Sequence, residues 1–398
     1  MSLKNKVIVF LGNTRFDSEI KATSLFIARN LASDNKVYFI DYPFTLKDYF
    51  NYSQTDQLKE RKEKLSFFSD GLINTDLPNL KIVITPPVLP INFLPEGFLF
   101  RSALKFNESI IASRLKKVFK NEGITEFIYI NSFNFHYPDL ASKIKPALTI
   151  YQCVDPMIIP YDMKHGIISE AQLVKESDLV ICTSKALYEE KKQSNVHTYF
   201  VPNATDSSHE IINPAEISIH ERLRDITGPI VGYLGTIERR IDYQLVQEVA
   251  ALNPDKTFIF AGPVSSDYIP ESIYASKNIK FIGAVPYDEV PQMIRSFDVT
   301  IIPFKKDEVS ATIFPIKLFE YLSAGKAVIA TDFNPDLKDY TADCVQYCNT
   351  ASSFSAAIHT ALHEDSPEKR ACRNALAKEN TWENRSRQIA EIIQSHLK

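Results

Sequence analysis

No stretch of this chain approaches the roughly 20 consecutive apolar residues that a membrane-spanning helix needs. The apolar run in "KNKVIVFLG" near the N-terminus is also too short for the core of a signal peptide. Any membrane contact is then peripheral. Cysteine is scarce: Cys153, Cys182, Cys344, Cys348 and Cys372 are odd in number and scattered, without the close pairs of a zinc site or a disulfide framework. That pattern points to a reducing cytoplasm. A basic excess is missing too, since 45 Lys and Arg face 49 Asp and Glu for a formal charge of −4, and nucleic acid is therefore not an expected partner. Only Gly12 follows the first apolar run, in "FLGNTRFDSEI". One glycine falls short of the three-glycine dinucleotide fingerprint, so Gly12 is read either as lining a ligand cleft or as a structural turn. His136 and His165 lack partners at metal-ligand spacing, and no metal site is expected.

What the chain does have is length and aromatics. Its 398 residues suit two domains, and 26 Phe and 18 Tyr supply generous core material. Short runs rich in β-branched and aromatic residues alternate with stretches of helical period, the pattern of parallel sheets with crossover helices. "KVIVFLG", "KVYFIDYP", "KIVITPPV", "FIYINSF", "LTIYQCV", "LVICTS" and "TYFVPN" read as strands of a first sheet, with helices predicted over 17–33, 102–121 and 165–178. Polar and turn-forming residues gather over 203–229, where the linker is placed. A second series follows, with "PIVGYLG", "TFIFAGPV", "IKFIGAV", "VTIIPF" and "AVIATDF" as strands and helices predicted over 242–252 and 287–297. Beyond it only helices are expected, over 354–364, 367–379 and 382–396. The fold class is α/β, with two Rossmann-like doubly wound domains facing a central cleft. Their bounds are 1–205 and 206–380, with 381–398 a C-terminal helix packing back on the first domain.

The stretch "FPIKLFEYLSAGKAVIATDF" over 314–333 carries the most chemistry. Pro315 suits a first helical turn and Gly325 the position past the end. Lys317 then sits beside free backbone N–H groups at the positive end of the helix dipole, a place made for an anion. Glu320, three residues on and on the same face, offers two acceptor oxygens to a vicinal diol such as a ribose. Phosphate plus ribose describes a nucleotide, although the same spacing also serves an ordinary ion pair on a solvated helix.

With "VGYLGTIERRID", "FAGPV" and "NIKFIGAVPYDEVPQMIRSFDVTIIPF", this stretch resembles the nucleotide-sugar-binding domain of GT-B fold glycosyltransferases. The resemblance is to the family 4-like bacterial branch that includes teichuronic acid and xanthan glucuronic acid transferases. "TIYQCVDPMIIPY", "EAQLVKESDLVICTSKAL" and "TYFVPNATD" extend it backwards, to cover most of 125–398. It implies that 1–205 binds the acceptor and 206–380 the nucleotide sugar, with Glu320 holding the donor ribose and Lys317 the diphosphate. It also implies a basic pair at Arg239 and Arg240, where planar donors at a strand-to-helix junction can meet diphosphate oxygens; Asp242 is read as the N-cap of the next helix. Retaining relatives carry a second glutamate eight positions before the ribose-binding one, and here that donor-side position is Thr312.

Asp155, directly after the strand "LTIYQCV", is the candidate general base if the sugar inverts, and positions the acceptor if it does not. A carboxylate desolvated there would have a suitable pKa; an Asx turn before Pro156 is the plainer reading. "PPVLPINFLPEGFLFRSALKF", with Phe93, Phe98, Leu99, Phe100, Phe106, Arg101 and Lys105, reads as a loop able to dip into a membrane interface, or as a lid on its own domain. The expected protein is a metal-independent glycosyltransferase without a cofactor. It moves a sugar from a nucleotide-sugar donor, a UDP-sugar, to a glycan or lipid-linked acceptor of a bacterial surface polysaccharide, in the cytoplasm with peripheral contact at the inner membrane face. A nucleotide-sugar epimerase and a non-catalytic sugar-nucleotide-binding partner are the alternatives.

Overall fold

Parallel strands buried on both faces read as continuous apolar runs, and the strand runs above pair in that way in a computed structural model that describes residues 3–18, 22–51, 59, 61–206 and 218–397. The chain divides into two units, the first made of Met1–Pro202 and Arg385–Lys398 and the second of Asn203–Asn384. Residues 19–21 of the expected first helix and 207–217 of the expected linker lie outside the described residues.

The first unit holds an eight-stranded sheet in the order β3-β4-β2-β1-β5-β6-β7-β8. Its strands are β1 (Val7–Leu11), β2 (Lys36–Ile40), β3 (Leu72–Asn74), β4 (Leu80–Val83), β5 (Ile128–Ser132), β6 (Leu148–Cys153), β7 (Leu179–Cys182) and β8 (Thr198–Phe200). All neighbours are parallel except β3, an antiparallel edge strand of three residues that the sequence reading did not foresee. The second unit holds a fully parallel six-stranded sheet in the order β11-β10-β9-β12-β13-β14. It is built from β9 (Ile230–Leu234), β10 (Thr257–Ala261), β11 (Ile279–Gly283), β12 (Val299–Ile302), β13 (Val328–Ala330) and β14 (Val345–Tyr347). The expectation of helices alone after "AVIATDF" is corrected by β14, which pairs with β13. Strand order reverses between β9 and β12, the switch point at whose carboxyl ends such sheets bind ligands.

The segment 86–106 is not a loop throughout. From Phe98 it is the first turns of a 25-residue helix, Phe98–Glu122. Phe100 is core, 3% exposed and stacked on His165, while Phe98 is 84% exposed and Phe93, Leu99 and Phe106 are exposed as well. Arg101 is not aimed outward either: it forks onto Glu96 at 2.7 and 2.9 Å and reaches Ser169 at 2.9 Å. In the second unit the fold brings two of the scattered cysteines together, with Cys344 Sγ 3.1 Å from Cys372 Sγ and both thiols free. The last helix, Trp382–His396, begins in the second unit and ends in the first. No helix among the described residues is long and apolar enough to cross a membrane.

Candidate functional site

The carbonyls leading into the key helix are clamped before it starts. Asn203 Nδ2 donates to the Phe314 carbonyl at 2.8 Å, and the fully buried Asn334 donates to that of Ile313 at 2.9 Å. Pro315 then stands at the N-cap of helix Ile316–Ser323, with no side chain capping the open N–H groups. Leu318, Phe319 and Leu322 face the core, and Tyr321 ties the helix to β9 by accepting from the Leu234 N–H at 2.7 Å. At the far end Gly325 takes the left-handed conformation at φ +69°, and Arg373 donates twice to its carbonyl, at 2.9 and 2.7 Å. A cation belongs there, at the negative end of the helix dipole.

Lys317 occupies the opposite, positive end. Its ammonium lies 3.8 Å from the centre of the Tyr233 ring and 5.1 Å from that of Phe304, and it donates to the Tyr233 hydroxyl. No ion pair joins it to Glu320 or to any other carboxylate among the described residues. Burial of the ammonium, and then the nearby Arg240 charge, push its pKa well below the ordinary lysine value, against a smaller opposing pull from Glu320 and Glu238. Cation–π contact offsets part of that cost. An arriving anion would offset the rest.

Tyr233 lies one residue before the end of β9 and Phe304 two residues past β12, so Lys317 stands at the switch point of the second sheet. Gly235, just after β9, is required there. A Cβ at this position would come within 2.5 Å of the Lys317 ammonium, and its φ of +133° suits glycine alone. Glycine is also required at Gly262, after β10, where a Cβ would meet the Gly235 carbonyl oxygen at 2.2 Å. Tyr233, Phe304 and the two glycines were not foreseen as site residues. "GYLG" and "FAG" at strand ends were the available signal.

The other expected donor-side residues are partly gathered. Glu320 is buried, 9% exposed, one turn after Lys317. Near it the Tyr287 hydroxyl donates to Asp206 at 3.2 Å, and burial followed by the Asp206 and Glu320 charges raises the Tyr287 pKa. Arg240 pairs with Glu238, while Arg239 lies 3.9 Å from Asp307, so the basic pair diverges onto two carboxylates. Asp242 caps the next helix, accepting from the Leu245 N–H at 3.0 Å, as expected. Thr312 ends a short 3-10 turn and spends its hydroxyl proton on the Val309 carbonyl at 2.7 Å.

Two expected residues lie in the first unit. Gly12 is buried, and packing accounts for it: a Cβ would sit 2.7 Å from the Phe39 ring and 3.0 Å from Ser24 Oγ. Its carbonyl accepts from Asn134 at 2.8 Å. Asp155 follows β6, but it is exposed, which corrects the expectation of a desolvated carboxylate there. The strand end at Cys153 is buried, and the chain reaches the surface two residues later. No group of three or more His, Cys, Asp or Glu among the described residues is placed to hold a metal ion.

Comparison with known proteins joins these observations. Residues 228–364 match the family described as glycosyl transferases group 1, a span that contains Tyr233, Gly235, Arg239, Arg240, Lys317 and Glu320. The chain is 27% identical over 285 residues to Bacillus subtilis (strain 168) TuaH, named as a teichuronic acid biosynthesis glycosyltransferase, covering 65% of this chain and 70% of the relative. Among solved structures it is similar to Anabaena HepE in complex with UDP and glucose, with a TM-score of 0.63, 15% identity and coverage of 98% and 100% of the two chains. It is also similar to the trehalose 6-phosphate synthase of Burkholderia multivorans, with a TM-score of 0.68, 9% identity and 98% coverage of each chain. With an unpaired lysine at the switch point of a sheet matched in this way, the chain is a glycosyltransferase of the GT-B fold whose residues 228–364 form a glycosyl transferases group 1 domain.

Proposed function

We propose that this protein takes a sugar from a UDP-sugar and joins it to a hydroxyl of a bacterial surface glycan or its lipid-linked intermediate. The observation that carries the reading is Lys317, a desolvated ammonium without a carboxylate partner, on the first turn of a helix at the sheet's switch point. A diphosphate supplies the missing counter-charge. As the bond from the anomeric carbon to the diphosphate oxygen breaks, its electron pair stays on the diphosphate. Lys317 and the helix N–H groups meet that growing charge in a site already organised for it. Arg239 or Arg240 adds a second cation by exchanging its carboxylate for a phosphate oxygen. Glu320 accepts from the ribose hydroxyls.

The acceptor hydroxyl forms the new bond to the anomeric carbon and gives up its proton, and Asp155 is assigned as the group that receives it. The name of TuaH supports a surface polysaccharide as acceptor, and the HepE complex supports UDP as the nucleotide. Peripheral membrane contact belongs to the same reading, supported by the exposed rings of Phe93, Phe98 and Phe106. Changing Phe93 and Phe98 to Ser should lower flotation with anionic vesicles while leaving UDP binding intact; equal flotation removes the membrane from the reading.

The function itself is tested by incubating the protein with UDP-sugars and following the products by ion chromatography. Slow release of UDP, faster with a glycan acceptor, is the expected result. An epimerised UDP-sugar would make the protein an isomerase, and binding without turnover would make it a partner of another enzyme.

A further inference from the structure

Two pairs of cysteines meet in the fold, and they differ in access. Cys153 and Cys182 are register partners on β6 and β7, fully buried and out of reach of any oxidant. Cys344 and Cys372, 28 residues apart in the chain, bring Sγ to within 3.1 Å of Sγ, and here Cys372 is exposed and Cys344 only partly buried. A cavity of about 240 Å³ lies beside them with both cysteines in its wall. The fifth cysteine, Cys348, is buried and donates its thiol proton to the Ser353 carbonyl at 3.5 Å.

Whether two thiols can bond is decided by the backbones that carry them, and both backbones are held. Cys344 ends the 3-10 turn Ala342–Cys344 that leads into β14. That turn opens on Ala342 at φ +43°, in the left-handed region that a residue with a side chain seldom adopts. Cys372 lies on the helix Pro367–Glu379. Its neighbour Arg373, 5% exposed, pins this helix by its two bonds to the Gly325 carbonyl and a third, at 2.7 Å, to Asp365. The sulfurs are thus presented to each other without any swing of the chain. Burial, and then Cys372, push the Cys344 thiol up to about 12, against a smaller opposing pull from Arg373. The exposed Cys372 is therefore the thiol that meets a reagent first. Once its sulfur is capped, the second of the two causes that hold Cys344 protonated is gone.

We propose that Cys344 and Cys372 form a modification site, closed into a reversible disulfide by exchange with a low-molecular-weight disulfide of the glutathione class. The Cys372 thiolate attacks one sulfur of that reagent, its S–S bond breaks, and one glutathione thiolate leaves. The Cys344 thiolate then attacks Cys372 Sγ, and the second glutathione thiolate leaves as the Cys344–Cys372 bond forms. The protein gives up two electrons and two protons, and the reagent takes both to become two thiols. The bond closes a loop through β14 and the helix Ala351–His363, so it restricts the unfolded chain and stabilises the second unit. This chemistry is independent of the substrate reading above. Intracellular disulfides of this kind are transient and redox-sensing.

The test takes the full chain, reduced and then freed of reductant, through incubation with oxidised glutathione. After an acid quench, the remaining thiols are alkylated under denaturing conditions and the peptides mapped by mass spectrometry. The expected map shows Cys344 cross-linked to Cys372, with Cys153, Cys182 and Cys348 alkylated. The melting temperature should rise by about 4 °C or more and return to the starting value on adding dithiothreitol. Cys344→Ser should stop at a glutathione adduct on Cys372 and gain none of that shift. If this variant does not fold, the wild-type map and melting curve decide. Alkylation of both Cys344 and Cys372 in the treated wild type would overturn the site, and so would a lasting glutathione adduct on wild-type Cys372, a cross-link through another cysteine, or a Cys344–Cys372 bond that leaves the melting temperature unchanged.

Discussion

Lys317 is charged in the unfolded chain at neutral pH and is driven towards its neutral form in the fold, because burial and Arg240 lower its pKa. A bound diphosphate reverses this by favouring the ammonium. The sign follows: above the depressed pKa the free protein has lost the proton and the complex regains it, so UDP binding takes up a proton. Affinity then falls as pH rises through that pKa. Calorimetry in two buffers of different ionisation heat should show the uptake, and buffer-independent heats would rule it out. Lys317→Ala should lose UDP affinity by about tenfold or more, the scale of a charged hydrogen bond, and lose much less for uridine. Equal losses would assign the lysine to structure. Glu320→Gln, keeping one acceptor, should bind UDP better than Glu320→Ala. The pairing of lysine and glutamate could be read in sequence because it lies on one helical turn, but the partners of each could not. Tyr233 near the end of β9 and Phe304 just past β12 meet only in the folded sheet. His136 and His165 share a cavity wall for the same reason, where the sequence showed two isolated imidazoles.

At the scale of the element, the long apolar runs were the readable part. Strands buried on both faces leave no other pattern, and both sheets follow from them. β3 and β14 carry Asn74 and Gln346 at exposed positions within their three residues, so no apolar run marks them, and they were missed. The helix Phe98–Glu122 was placed a turn late because Pro95, Gly97 and the aromatics around them read as a loop. The turn after β9 is where element and site meet. Gly235→Ala would strain the backbone at φ +133° and press a methyl group against the Lys317 ammonium, at a cost of about 1–3 kcal/mol. We expect the variant to stay folded with a lower melting temperature and to bind UDP at least about fivefold more weakly. Normal UDP affinity in a folded variant would detach this turn from the donor site.

At the scale of the whole molecule, the first unit is discontinuous in sequence. Its last part, Arg385–Lys398, is encoded after all of Asn203–Asn384, and the helix Trp382–His396 carries the chain back. Synthesis is vectorial and domains tend to fold as units while it proceeds. The ribosome therefore finishes the second unit while the first still lacks its closing helix turns. On nascent chains arrested with residue 384 clear of the exit tunnel, the second unit should resist protease while the first is still cut. Release of the remaining residues should then protect both. Equal protection of both units before the last helix emerges would mean that the closing segment adds nothing to the stability of the first.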